Sequence, residues 1–496
     1  MGIIDRAVSN TYYMFLSWFS ITFASFLFWF IFGKLLTPEE YGISLTTINF
    51  TIFVTGLIQI GLPGAIGKLV SEYAGVGNKR RIKEIISSAL TVLLISSTVS
   101  TVVIFLLKDL IVSYLKIPQD ALLPVFLAVF VIPLNSLFSQ LFYGFQKMRR
   151  RFIGVFTFSL SKLIIAAIIT LLGFSYLGPI VGTIVGFLSS LLILLDFRYV
   201  GFRLALDKEL FNYASANFLS GFSFLLFANT QYLIVSLFRT SSTTGVFGVP
   251  MVIAVVMSVV PTLLSSGVFP IISELSVDKV FKEKQRRIIQ SYLRYTILLT
   301  LPVFITLSIY SKEIIVFYSS EKYAGYNQLL PILSLGMFFL GLSSGLNSYI
   351  NAIKKPHISR KIQLVVSGFY LTSASLLTMK YGGTGMAIAY TTSAFLYTTL
   401  CLVSLKRSMK VQLPLKPFLK MMISAAVSFS PLFIVRLYTS NLFIGLFVAA
   451  LCSIGYFFVL LRLRFYTKDD LKIVMNVVRR FKILKFLIPI LSKGIE

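Results

Sequence analysis

Fourteen stretches of mostly apolar residues, each about 18–27 long, recur from one end of this chain to the other, separated by clusters of charged and turn residues. They lie near 10–33, 42–66, 85–107, 121–145, 152–173, 177–196, 211–237, 246–269, 292–311, 328–350, 362–379, 384–405, 417–437 and 441–461. A helix that crosses a bilayer needs about 20 such residues. In lipid every backbone polar group must be satisfied within the protein, which leaves helices or closed barrels. The runs are too long for barrel strands, so the expected fold is all-α, a polytopic membrane protein of about 14 transmembrane helices. Only 13% of the 496 residues are charged, roughly half the usual share. That excludes a soluble enzyme and a disordered chain, and two cysteines exclude a disulfide scaffold. The first run is no cleaved signal peptide: it is long, lacks an evident small-residue cleavage site and has only Arg6 before it.

The basic residues set the orientation. With both termini on the cytoplasmic side, 37 of the 46 Lys and Arg fall in inner connections or tails and 8 in outer ones, with Lys162 inside a span. That bias is the positive-inside pattern. The formal charge of +28 is thus mostly topology and attraction to anionic membrane lipids, and no nucleic-acid partner is expected. The expected location is the cell membrane, multi-pass.

The chain also repeats itself. Lys108-Asp109-Leu110-Ile111-Val112, followed by Tyr114, recurs as Lys312-Glu313-Ile314-Ile315-Val316, followed by Tyr318. Ser71-Glu72 recurs as Ser273-Glu274, Arg80-Arg81 as Arg286-Arg287, Tyr176-Leu177-Gly178 as Tyr381-Gly382-Gly383, and the basic turn Lys147 to Arg151 as Lys354-Lys355. A shift of six spans preserves orientation, so these are parallel repeats about an axis along the membrane normal. The expected organisation is a six-helix lobe over 1–209, its repeat over 210–410, two extra transmembrane helices over 411–463 and a basic cytoplasmic tail over 464–496. Transporters of this design hold substrate between the repeats and rock them.

Over essentially its whole length the sequence resembles the polysaccharide-unit flippases, the Wzx-type branch of the multidrug/oligosaccharidyl-lipid/polysaccharide exporter superfamily. The most specific patch is Pro38-Glu39-Glu40-Tyr41-Gly42; Gly61-Leu62 and the turn Gly77-Asn78-Lys79 follow. Lys34 and Thr37 stand where the family usually has an Arg and a Gly. The resemblance implies a V-shaped, MATE-like transporter. It would flip a polyprenyl- or dolichyl-type lipid-linked oligosaccharide by alternating access for polysaccharide or glycan biosynthesis, alongside glycan-assembly proteins. The other reading is an ion-coupled multidrug or small-molecule antiporter of the same fold. On its own physics the patch is a helix start, with Pro38 at the first position and two glutamates opposing the positive dipole end.

Intramembrane ionisable residues are functional candidates by default, and Lys162 is the clear case. It lies 11 residues beyond Arg151, about 16 Å along a helix rising about 1.5 Å per residue. It would meet a pyrophosphate or acidic sugar in a cavity, or else be a lysine snorkelling to the inner surface. Asn10, Asn49 and Gln59 in the first two spans and Asn217, Asn229 and Gln231 in the seventh are the polar candidates. An amide both donates and accepts, which suits sugar hydroxyls and equally suits bonding between helices. Every Asp and Glu lies at a span end or in a connection, which disfavours an antiporter with a buried carboxylate relay.

Prolines and glycines interrupt the second span at Gly61, Pro63 and Gly64, and Pro250, Pro261 and Pro270 mark the eighth; these are hinges or static kinks. In the tail, Leu471, Val474, Val477, Val478, Phe481, Leu484 and Leu487 recur at helical spacing among basic residues. This predicts an amphipathic helix on the inner leaflet or docked on the protein's own loops. No enzyme is expected. His357 stands alone, Cys401 and Cys452 form no spacing motif, no phosphate-cradling loop is present, and the outer connections are short. No cofactor or metal is implied.

Overall fold

The computed structural model describes residues 3–59, 61–201, 207–275, 282–353, 355–409, 415–466 and 470. Among them the regular structure is helical throughout. In chain order the helices are α1 (Ile3–Leu35), α2 (Pro38–Ile58), α3 (Leu62–Gly75), α4 (Lys79–Leu106), the short α5 (Lys108–Leu115), α6 (Leu123–Gly144), α7 (Met148–Ile169) and α8 (Leu177–Leu194). There follow α9 (Lys208–Phe238), α10 (Ser241–Ala254), α11 (Val256–Leu275), α12 (Lys282–Ile309), the short α13 (Ser311–Tyr318), α14 (Leu329–Ala352), α15 (Pro356–Met409), α16 (Leu415–Tyr438) and α17 (Leu442–Arg462).

Among the described residues thirteen helical stretches are long and apolar enough to cross a membrane. One of them, α15, has 54 residues; a straight helix of that length would run about 80 Å, far beyond a hydrocarbon core of about 30 Å. It is not straight. Gly382 sits at φ 62°, ψ −138°, where a Cβ would be costly, and a Cβ on Gly385 would stand 1.9 Å from the Leu377 carbonyl oxygen. Residues eight apart touch because the chain doubles back, so α15 supplies the two runs read as 362–379 and 384–405. The chain is a polytopic, all-α membrane protein.

Two boundaries differ from expectation. The run 42–66 is two helices, α2 and α3, separated at Gly61 with φ 73°; continuous apolarity hid the break, because hydropathy does not register backbone dihedrals. The run 246–269 is likewise divided between α10 and α11 at Val255. The expected amphipathic tail over 471–487 lies outside the described residues, as does Lys354.

Capping explains several starts. Thr37 and Glu40 form a reciprocal capping box before α2, the Asn78 side chain accepts from the Arg81 amide at 3.0 Å before α4, and Asp207 accepts from the Leu210 amide at 3.1 Å before α9.

The repeat is written into these bounds. Leu35 and Phe238 end α1 and α9, and Pro38 and Ser241 begin α2 and α10; each pair is 203 residues apart. Both ends of α4 and α12, and both ends of α5 and α13, are separated by the same 203.

The contacts form two compact units. The first comprises Met1–Ile253, Ile315–Leu329 and Arg360–Ser393. Its apolar core gathers Ile66 and Leu69 of α3, Ile85, Ile86 and Ala89 of α4, and Val125, Val129, Leu141 and Phe142 of α6. The α1 span is largely exposed along its length, and the rings of Phe15, Phe19 and Phe23 stack down its side with centroids 6.3 and 5.8 Å apart. Such a face belongs in lipid.

The second unit comprises Ala254–Ile314, Leu330–Ser359 and Ala394–Glu496. There Met421, Phe429 and Leu432 of α16 pack with Tyr456 and Leu460 of α17 and Tyr310. It holds an apolar cavity of about 430 Å³, with Phe304, Phe338, Phe339, Phe395 and Phe418 in its wall. Asp470 reaches Arg294 at 2.7 Å and accepts from the Tyr295 hydroxyl. Glu313 pairs with Arg436 at 2.6 Å.

Candidate functional site

The break between α2 and α3 is pressed against α9. A Cβ on Gly61 would lie 2.2 Å from the Ala214 carbonyl oxygen, and one on Gly56 would lie 2.6 Å from Leu225. Beside this crossing is a cavity of about 330 Å³, lined by Gly56, Gln59, Gly61, Pro63, Gly64, Phe218, Gly221, Phe222 and Leu225. Local sequence accounts for its form. Gly61 turns the chain, Pro63 occupies the first turn of α3 where its missing N–H costs nothing, and three glycines leave room that side chains would fill. On the opposite wall the rings of Phe218 and Phe222 stack with centroids 5.7 Å apart. Gln59 is the amide of the cavity; its N–H donates to the Thr55 carbonyl at 3.1 Å.

One turn along α3, a half-exposed Lys68 places its ammonium 3.8 Å from the centroid of Tyr213 and 3.7 Å from Glu72. Its interaction with Tyr213, and then the Glu72 charge, hold the ammonium above the ordinary lysine range. Lys68 is therefore a fixed cation. Further along, Arg81 is clamped by Asp207 at 2.7 Å and Glu209 at 3.0 Å, and Tyr73 donates to Glu209 at 2.8 Å. This network ties the first turns of α4 and α9 and the end of α3. A cavity with an amide, stacked aromatic rings and a cation nearby can take hydroxyl-rich and anionic groups together.

Lys162 lies elsewhere. It is buried at 8% exposure in α7, with its ammonium 3.9 Å from the centroid of Phe28 in α1 and 5.8 Å from that of Phe158. Gly186 of α8 lies against its Cβ. No carboxylate pairs with it among the described residues; the aromatic faces supply the electrostatic partner. It does not line the 330 Å³ cavity.

The remaining amides are dispersed. Asn49 donates to the Leu45 carbonyl at 2.8 Å, Asn229 to Leu225 at 3.3 Å and Gln231 to Ala228 at 3.0 Å, each within its own helix. Asn10 is half-buried near the start of α1, and the Asn217 side chain lies outside the described residues, although its backbone belongs to α9 one position before Phe218. The structure thus brings Gln59 to the cavity and leaves Lys162, Asn49, Asn229 and Gln231 in helix packing. Sequence reading did not single out Lys68, Phe218 or Phe222. The cluster Gly61-Leu62-Pro63-Gly64 was the available signal, since a break inside an apolar run opens space beside it.

A two-repeat bundle of membrane-spanning helices with a polar-lined cavity at a helix break defines a polytopic membrane transporter. The fold is shared with a lipid II flippase, MurJ, in an inward closed conformation, at a TM-score of 0.72 and 16% identity over 91% of this chain and 98% of that one. It is shared also with an inward-facing multidrug resistance transporter of the MATE family, at 0.61 and 14% identity over 78% and 96%. A Shigella flexneri protein named "Putative O-antigen transporter" is 25% identical over 434 residues, covering 81% of this chain and 99% of its own length. The chain belongs to the polysaccharide biosynthesis protein family, whose profile matches residues 31–328.

Proposed function

We infer that this protein is a flippase that carries a lipid-linked oligosaccharide across the cytoplasmic membrane during polysaccharide assembly. The observation that carries the reading is membership of the polysaccharide biosynthesis family over residues 31–328, on a fold shared with a lipid II flippase. In this reading the lobes are 1–209 and 210–410, the helices over 411–463 are accessory, and both termini are cytoplasmic. Substrate binds between the lobes and is released by alternating access. It is handed on by glycan-assembly proteins, and the chain itself catalyses no bond change.

The α2–α3 cavity takes part of the glycan or its phosphate linkage. Gln59 bonds hydroxyls, Phe218 and Phe222 cover apolar sugar faces, and Lys68 faces the anionic linkage. Asn10, Asn49, Asn217, Asn229 and Gln231 serve as further polar contacts along the path, and Lys162 holds a cation against α1 at mid-depth. The buried carboxylates support a flippase over a carboxylate-coupled drug antiporter. Among the described residues Asp196, Asp207 and Asp470 are buried, and each pairs with an arginine, Arg198, Arg81 or Arg294. A carboxylate held in such a pair does not cycle readily through its proton.

The decisive experiment locates lipid-linked glycans on the two membrane faces after deletion of the gene and complementation with wild type or Lys68→Ala. Complete units trapped on the cytoplasmic face of the deletion strain, relieved by wild type and only partly by the variant, are the expected result. Normal surface glycan with lost drug resistance would favour the antiporter.

A further inference from the structure

The repeat relation has a physical contact at its centre. A Cβ on Gly42 of α2 would stand 1.8 Å from the Ser241 carbonyl oxygen, and a Cβ on Gly245 of α10 would stand 1.8 Å from the Pro38 carbonyl oxygen. Pro38 and Ser241 are 203 residues apart, as are Gly42 and Gly245. The two contacts are therefore one contact made twice, each helix offering a glycine to the other's first carbonyl. A turn deeper the same relation holds again: Leu45 packs on Gly248, 203 residues later. Nothing but glycine fits at the first two positions.

The flanking segments repeat the exchange. Beyond α5, the Lys116 ammonium donates to the Arg239 carbonyl, and the Leu115 carbonyl accepts from Ser236. The Ser241 hydroxyl donates to the Lys116 carbonyl at 2.7 Å. So the end of α5 lies over the α9–α10 junction. In the other repeat, Tyr318 at the end of α13 donates to the Phe26 carbonyl at 2.8 Å, Tyr323 donates to Leu36 at 3.0 Å, and Lys34 donates to the Val316 carbonyl at 2.9 Å. A Cβ on Gly33 would meet Ser319 Cβ at 3.0 Å. So the end of α13 lies over the α1–α2 junction. Ser236 and Lys116 correspond by the same offset to Gly33 and Ser319.

We propose that these reciprocal contacts form a clasp that shuts the outer end of the protein, and that it opens and recloses, with Gly42 and Gly245 parting, in every transport cycle. The acceptors are backbone carbonyls and several donors are exposed lysines or hydroxyls, so water replaces each bond on separation and the net cost of opening is small. The steric term acts the other way: only glycine permits closure, because a Cβ at either position meets a backbone carbonyl that cannot move aside. The consequence for transport rests on the flippase reading; the clasp itself does not.

The test uses the full-length protein with Cys401 and Cys452 replaced by Ala and the pair Gly33→Cys and Ser319→Cys introduced across the clasp. The disulfide should form readily in the purified protein. Gly42→Ala and Gly245→Ala should each slow its formation several-fold and to similar extents, whereas Gly75→Ala, with open space around its Cβ position, should not. In cells, the oxidised pair should abolish appearance of surface glycan, and a reductant should restore it. Equal cross-linking rates in wild type and both glycine variants would overturn the clasp, as would undiminished glycan export with the disulfide fully formed. A deletion strain that displays normal glycan would remove the flippase reading instead, and the cross-linking rates would still decide the clasp.

Discussion

Lys162 shows what a single residue discloses and conceals. Its position inside an apolar run marks it as exceptional from sequence alone, and burial confirms that it is not at a surface. Its partner was illegible, because Phe28 is 134 residues earlier and nothing in hydropathy selects one phenylalanine among 47. A desolvated cation–π contact is worth about 2 kcal/mol. Lys162→Met and Phe28→Leu should therefore each lower the melting temperature in detergent, with a double-mutant coupling of about 1–2 kcal/mol. Additive losses would show that the ring and the ammonium do not interact. Lys68 makes the opposite case: it was counted among inner-loop charges, and its neighbour Tyr213 becomes visible only once α3 and α9 are packed. Lys68→Ala should reduce flipping while Lys68→Arg keeps most of it; flipping assays in reconstituted vesicles discriminate the two, and equal loss in both variants would point to packing rather than charge.

At the scale of elements, helix existence was readable and helix interruption was not. Runs of apolar residues located nearly every crossing, whereas the turns at Gly61 and Gly382 depend on positive φ values that hydropathy does not encode. Caps were legible in part, since Thr37 and Glu40 have the capping-box spacing. Replacing Thr37 by Ala should cost about 1 kcal/mol, seen as a lower melting temperature. Asp207 both caps α9 and pairs with Arg81, so Asp207→Asn should cost less than Asp207→Ala, because an amide still caps; equal losses would assign the whole effect to the ion pair.

The loop after α8 adds a pH dependence. Hydrogen bonding to Arg198 holds the Asp196 carboxyl below its usual range. The pair thus contributes stability above the unfolded value of about 4 and loses it as pH falls through the lower folded value. The acid-side fall in melting temperature should be shallower in Asp196→Asn, by a modest amount because Arg198 is exposed.

For the molecule as a whole, the sequence carried most of the plan. Charge asymmetry and the offset near 203 predicted parallel repeats, and the bounds of α4, α5, α12 and α13 reproduce that offset to the residue. Labelling single cysteines at Thr439 and Asn78 with an impermeant thiol reagent in intact cells should modify the first and spare the second, since they lie in connections of opposite side; the reverse pattern would invert the topology. What the plan did not disclose is where the repeats touch, since that depends on glycines whose only role is to be absent.

The double duty of Asp207 has a further consequence in time rather than in energy. One carboxylate closes the first turn of α9 and fastens it to the first turn of α4, so neither turn can fray alone. The amide hydrogens at the starts of the two helices should then exchange with solvent as a single cooperative unit, at a common rate, although more than a hundred residues of chain separate them.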